Sequence, residues 1–119
     1  MGLDMYAFAV PQGTDMDGEV ESKQELAYWR KFNALHGWME ELYRSRGGSG
    51  TFNCVPVKLT EADLDLLEVD LGEGLTPVEG FFFGAQTVYP EDIESTKQFI
   101  ADAREQIADG MDVYYDSWW

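Results

Sequence analysis

Apolar residues along this chain switch between strand-like and helix-like spacing, and each switch marks an element. Leu3 to Val10 is a short apolar and aromatic run closed by Pro11-Gln-Gly13, which predicts a first buried strand. A polar loop, Asp15-Met-Asp17-Gly18-Glu19, follows. From about Ser22 to Arg46 the period is helical. At about 100° per residue, Tyr28, Phe32, Leu35, Met39, Leu42 and Tyr43 share one sector about 100° wide, which predicts the main helix. Gly47-Gly48-Ser49-Gly50 ends it in an exposed turn. Phe52 to Lys58 is extended, and Pro56 confines that stretch to a sheet edge or a connection. Thr60-Glu-Ala-Asp63 has the form of a capping box with Asp in place of Glu, and Leu64, Leu67 and Leu71 follow at helical spacing.

Gly72, Gly74 and Pro77 break the chain before Gly80-Phe-Phe-Phe-Gly84, which predicts a second buried strand. Pro90 and the acidic residues after it suit a helix start and Gly110 suits a helix end, so a third helix is expected over 91–109. Met111 to Trp119 then alternates as an aromatic strand. The order strand, helix, helix, strand, helix, strand predicts an α+β fold, with a small, mostly antiparallel sheet of about three strands packed against about three helices. One domain is expected over 1–119.

Composition supports folding: 45% of the residues are hydrophobic and 14% aromatic, too much apolar material for a disordered acidic tail. At 119 residues, such a chain buries roughly two-thirds of its unfolded surface in a single core. A single cysteine, Cys54, cannot form an internal disulfide, which makes the cytoplasm the expected compartment. No basic-then-apolar leader and no run near 18 apolar residues is present, so neither a secretion signal nor a membrane span is expected.

Charge adds more. The net charge is −15, with 23 carboxylates against 8 Lys and Arg. Five of the cations (Lys23, Arg30, Lys31, Arg44, Arg46) lie within 23–46, where only Glu25, Glu40 and Glu41 oppose them; that stretch is +2 and the rest of the chain −17. Such a balance argues against direct binding of nucleic acid or an anionic membrane and favours a basic partner.

The carboxylates are patterned. On the third helix Ile93, Thr96, Ile100, Ala103 and Ile107 form an apolar stripe, with Glu91, Glu94, Asp102, Glu105 and Asp109 opposite, interrupted by Gln98. The second helix repeats this with Glu61, Asp65 and Glu68 opposite its leucines. Like charges at these spacings lie about 5–6 Å apart and carry a small folding cost. Their spacing is of the order of that between successive phosphates, so the rows suit a Lys/Arg groove that normally holds nucleic acid. A solvated face of a very soluble protein, or adaptation to a salty cytoplasm, explains the same pattern.

Other candidates are fewer. Trp29, Arg30, Asn33 and His36 fall near one another on the predicted first helix, a candidate pocket in which His36 would act as an acid or base; a packed boundary histidine is the plainer alternative. Cys54 lacks a neighbouring base and reads as a buried thiol. An EF-hand starting at Asp15 would put Val20 where glycine is required and Leu26 where the closing glutamate belongs, so that reading is rejected. No zinc spacing, phosphate loop or nucleophile elbow is present, and no metal or cofactor is expected. Trp118 and Trp119 are candidate interface anchors, including for a homo-oligomer.

Four segments together, Met1-Gly-Leu-Asp-Met-Tyr6, Tyr28-Trp-Arg-Lys-x-Asn33 with His36 and Trp38, Gly80-Phe-Phe-Phe-Gly84 and Tyr114-Tyr-x-Ser-x-Trp119, resemble a small, widespread protein family of bacteria and their phages that has no established activity. The resemblance spans nearly the whole chain and implies a phage or prophage origin. Small acidic phage proteins resemble, as a class, inhibitors of host defence such as anti-CRISPR proteins. The leading expectation is therefore a non-catalytic protein of the host cytoplasm whose acidic helix faces block a basic site on a host nuclease or CRISPR complex. The alternatives are a small enzyme or ligand-binding domain built on the Trp29/Arg30/Asn33/His36 pocket, and a phage accessory oligomer.

Overall fold

The computed structural model describes residues 3–14, 23–52, 55–72 and 90–118, with Asn33 described through its backbone only. The expected strand at 80–84, the loop at 15–19, Cys54 and Trp119 lie outside these residues. Among the described residues the order is β1 (Asp4–Pro11), β2 (Gln24–Arg30), α1 (Asn33–Ser45), β3 (Val57–Leu59), α2 (Glu61–Gly72), α3 (Pro90–Ala108) and β4 (Met111–Trp118). The fold is α+β, as expected, with four strands rather than about three. The sheet runs β2-β1-β4-β3 and every pairing is antiparallel.

Besides the predicted strands at the two ends, the described residues hold β3, within the stretch 52–58 read as extended, and β2, which comes out of the predicted first helix. Residues 24–30 satisfy a helical period, but β1 offers them a paired edge: Met5 faces Trp29 and Tyr6 faces Tyr28 in register. The aromatic rings gain more from the sheet than from a helix. Tyr6 and Tyr28 lie 5.3 Å apart, and the Tyr28 hydroxyl donates to Asp4 Oδ1 at 2.7 Å. Trp29 turns inward, edge-on to Phe99, and donates from Nε1 to Thr96 Oγ1 at 3.1 Å. Lys31 then turns the chain with φ of 56°, its N–H donating to the Leu3 carbonyl at 2.9 Å. A left-handed lysine is strained, and here that strain separates strand from helix. Of the predicted stripe, Phe32, Leu35 and Met39 are buried, whereas Tyr28 is an exposed strand residue.

Local signals set the remaining boundaries as expected. α1 ends in a Schellman arrangement, with the Gly48 N–H on the Tyr43 carbonyl and the Gly47 N–H on the Arg44 carbonyl, both at 3.0 Å. Gly47 supplies the left-handed turn that this closure needs, at φ 87°. The capping box before α2 forms reciprocally: Thr60 N donates to Asp63 Oδ2 at 2.9 Å and Asp63 N to Thr60 Oγ1 at 3.3 Å. Burial would raise the Asp63 carboxyl, but the Thr60 N–H and the Arg46 guanidinium together hold it below its ordinary range. Pro90 opens α3 with Glu91 and Asp92 in its first turn, and Gly110 follows it at φ 84°.

The helices share one core with one sheet face. Leu3, Met5, Ala7 and Ala9 of the β1 region meet Val113 and Tyr115 of β4, Leu35 and Met39 of α1, Leu64, Leu67 and Leu71 of α2, and Phe99, Ile100 and Ala103 of α3. Residues alternating with these along the strands, among them Tyr6, Phe8 and Tyr114, point to the other face. Among the described residues no helix is long and apolar enough to cross a membrane.

Candidate functional site

α3 follows its predicted division. Thr96, Ile100 and Ala103 are buried together with Phe99, which the predicted stripe omitted, while Ile93 and Ile107 are partly buried at the ends. Glu91, Glu94, Glu105 and Asp109 are exposed and Asp102 is half-buried. Lys97 Nζ sits 3.6 Å from Glu94, and Gln98 donates to Asp102 at 3.0 Å. Glu91, Glu105 and Asp109 take part in none of the ion pairs formed among the described residues.

α2 packs beside α3, and Arg104 joins their surfaces. Its guanidinium lies 2.7 Å from Asp65 Oδ1 and 3.0 Å from Glu68 Oε2. Two carboxylates of α2 are thus oriented by one cation from α3, across 39 and 36 residues of sequence. Among the described residues, the eight predicted row carboxylates share two cations, Arg104 and Lys97, which leaves a surplus of six negative charges on adjoining helices. Exposed ion pairs of this kind contribute about 0–1 kcal/mol each, so a partner's cations can displace them.

The carboxylate pattern does not describe α2 completely. Leu66 and Val69 are 53% and 57% exposed, on the side of the helix opposite the buried Leu64, Leu67 and Leu71. The signal was present in the sequence as two aliphatics three residues apart, out of phase with the leucine stripe.

The predicted pocket does not assemble as a helix face. Trp29 belongs to β2 and is buried against Phe99, Arg30 follows it on the exposed side, and His36 is buried within α1; the Asn33 side chain lies outside the described set. His36 stacks on Phe52 with ring centres 5.1 Å apart, and its Nδ1 shares a 2.7 Å hydrogen bond with the Tyr115 hydroxyl. Burial pulls its pKa down to about 4, with Glu40 opposing the shift. A buried imidazole held neutral in this way is far from the near-neutral acid or base of the pocket reading.

A cleft does open elsewhere, on the sheet face turned away from the core. Tyr6, Phe8, Lys23, Glu25, Asp116, Ser117 and Trp118 enclose about 370 Å³. Lys23 Nζ lies 4.3 Å from the centre of the Phe8 ring, a cation–π contact. Asp116 accepts from the Ser117 N–H at 2.8 Å, and burial raises its carboxyl above the ordinary range, opposed by that bond and by Lys23. Trp118 is 65% exposed at the rim. Among the described residues no group of three or more His, Cys, Asp or Glu could hold a metal ion. Comparison with protein-family models, with curated proteins and with solved structures finds no match to this chain.

Proposed function

We propose that this chain is a non-catalytic interaction protein that sets the carboxylate side of α2 and α3 against a basic, nucleic-acid-binding site of a partner protein. The observation that carries the reading is the junction at Arg104. It brings two acidic rows from distant parts of the sequence onto adjoining helices, with six more negative charges than the cations that pair with them among the described residues. A field of that size steers a cationic surface into contact and weakens with salt. A host nuclease or CRISPR complex is the partner this chemistry suits, and the resemblance to phage-encoded proteins points the same way.

Capture from a bacterial lysate, repeated with Glu91→Lys, Glu105→Lys and Asp109→Lys in one chain, tests the proposal. These side chains are exposed, and the cost of Lys at the α3 N-terminus is offset by the gain of Lys beyond its C-terminus, so the variant should keep the wild-type fold and a urea midpoint close to it. The expected result is a partner released by salt, bound about tenfold or more weakly by the variant, and unable to hold nucleic acid while the wild-type chain is bound. Equal retention of the same partner by the variant would overturn it.

A second reading rests on the cleft at Tyr6, Phe8 and Trp118, whose volume lies within the range of small-ligand sites. On this reading the chain is a ligand-binding domain. A small molecule seated there should shift the Trp118 indole N–H resonance, and Tyr6→Ala should abolish its binding. Ligands that bind Tyr6→Ala unchanged would place the site elsewhere.

A further inference from the structure

The outer stripe of α2 is apolar where a solvated helix would be polar. Ala62, Leu66 and Val69 are exposed at i, i+4 and i+7, which puts them in one narrow sector opposite Leu64, Leu67 and Leu71. A single exposed aliphatic is ordinary, but an unbroken stripe on a helix whose inner face is already satisfied by the core is not. Carboxylates border the stripe on both sides. Glu61, Asp65 and Glu68 flank it toward Arg104, and Asp63 and Asp70 flank it on the other side. Arg46 and Arg104 are the two cations that reach this set, so five carboxylates against two guanidinium groups leave three negative charges around the apolar strip.

We infer that α2 docks the apolar ridge of a basic amphipathic helix, with the partner's aliphatic side chains seated on Ala62, Leu66 and Val69 and its Lys or Arg residues paired with the flanking carboxylates. This deepens the acidic-interface reading and rests on it. Charge brings the partner in, and the stripe supplies a contact that salt does not remove. The charge pattern excludes an acidic or neutral apolar helix, which would leave carboxylates facing unpaired across the contact.

Two synthetic probes separate the contributions: a peptide of leucine and lysine at amphipathic helical spacing, and an oligolysine of the same charge. Titrated calorimetrically against the full chain, the Leu/Lys peptide should still bind at a salt concentration that abolishes oligolysine binding. Leu66→Ser with Val69→Ser should weaken the Leu/Lys peptide about tenfold or more and leave oligolysine affinity unchanged. Both positions are exposed, so an unchanged urea midpoint verifies the fold of the variant. Equal affinity of variant and wild type for the Leu/Lys peptide would overturn the proposal. So would a wild-type dimer that the same variant dissociates, because the stripe would then belong to a second copy of this chain. The acidic reading fails by a different result: oligolysine binding unaffected when Glu91, Glu105 and Asp109 are reversed to Lys.

Discussion

Tyr115→Ala is expected to remove about 3–5 kcal/mol of stability, a large share of the 5–15 kcal/mol typical of a domain. Tyr115 sits on β4, a central strand of the sheet, with no exposed surface, and its ring packs over Phe52 at 6.1 Å. Truncation would open a cavity where α1, β3 and β4 meet the core. The milder Tyr115→Phe keeps the ring and removes the hydroxyl that bonds His36 Nδ1 at 2.7 Å. Taking away one partner of a buried polar pair costs about 1–3 kcal/mol, because the other loses its bond without regaining water. Urea unfolding at pH 7 should show both losses as lower midpoints with an unchanged slope. His36→Leu in the Tyr115→Phe background should recover part of the second loss, a coupling that a double-mutant cycle measures. A Tyr115→Phe chain as stable as wild type would mean the hydroxyl adds nothing to the fold.

Acidification should weaken the fold through the same pair. Burial lowers the His36 pKa to about 4 in the folded chain, against about 6.5 when unfolded. Below pH 6.5 the unfolded chain therefore takes up the proton first, and stability falls as the pH drops toward 4. The loss is about 2 kcal/mol between pH 7 and pH 5, and approaches about 3 kcal/mol at pH 4. Urea midpoints measured every half unit should decline for wild type, and the decline should flatten in His36→Gln. A wild-type profile level between pH 7 and pH 5 would show that the imidazole can be protonated in place.

These effects lie in the core, and the proposed contacts lie outside it. The separation matters for testing, because Leu66, Val69, Glu91, Glu105 and Asp109 can be changed without touching the His36 cluster. Binding and folding can thus be perturbed independently in one domain.

The elements legible from sequence were those written in short-range chemistry. α2 follows from Thr60 and Asp63 capping each other and from Leu64, Leu67 and Leu71 in phase; α3 follows from Pro90, its acidic first turn and Gly110. The carboxylate rows were legible for the same reason, since helical spacing fixes which side chains share a face. Residues 24–30 were not, because they fit a helix by period and become a strand only when β1 lies beside them. Nor could spacing show that Trp29 and His36 would be drawn into the core, a choice made by Phe99, Thr96, Phe52 and Tyr115 from other parts of the chain. The amount of charge this protein carries, and the helices that bear it, follow from the order of its residues alone. That α2 and α3 stand together through Arg104 is a property of the folded chain alone, because it depends on which elements meet, and local spacing carries no information about partners dozens of residues away.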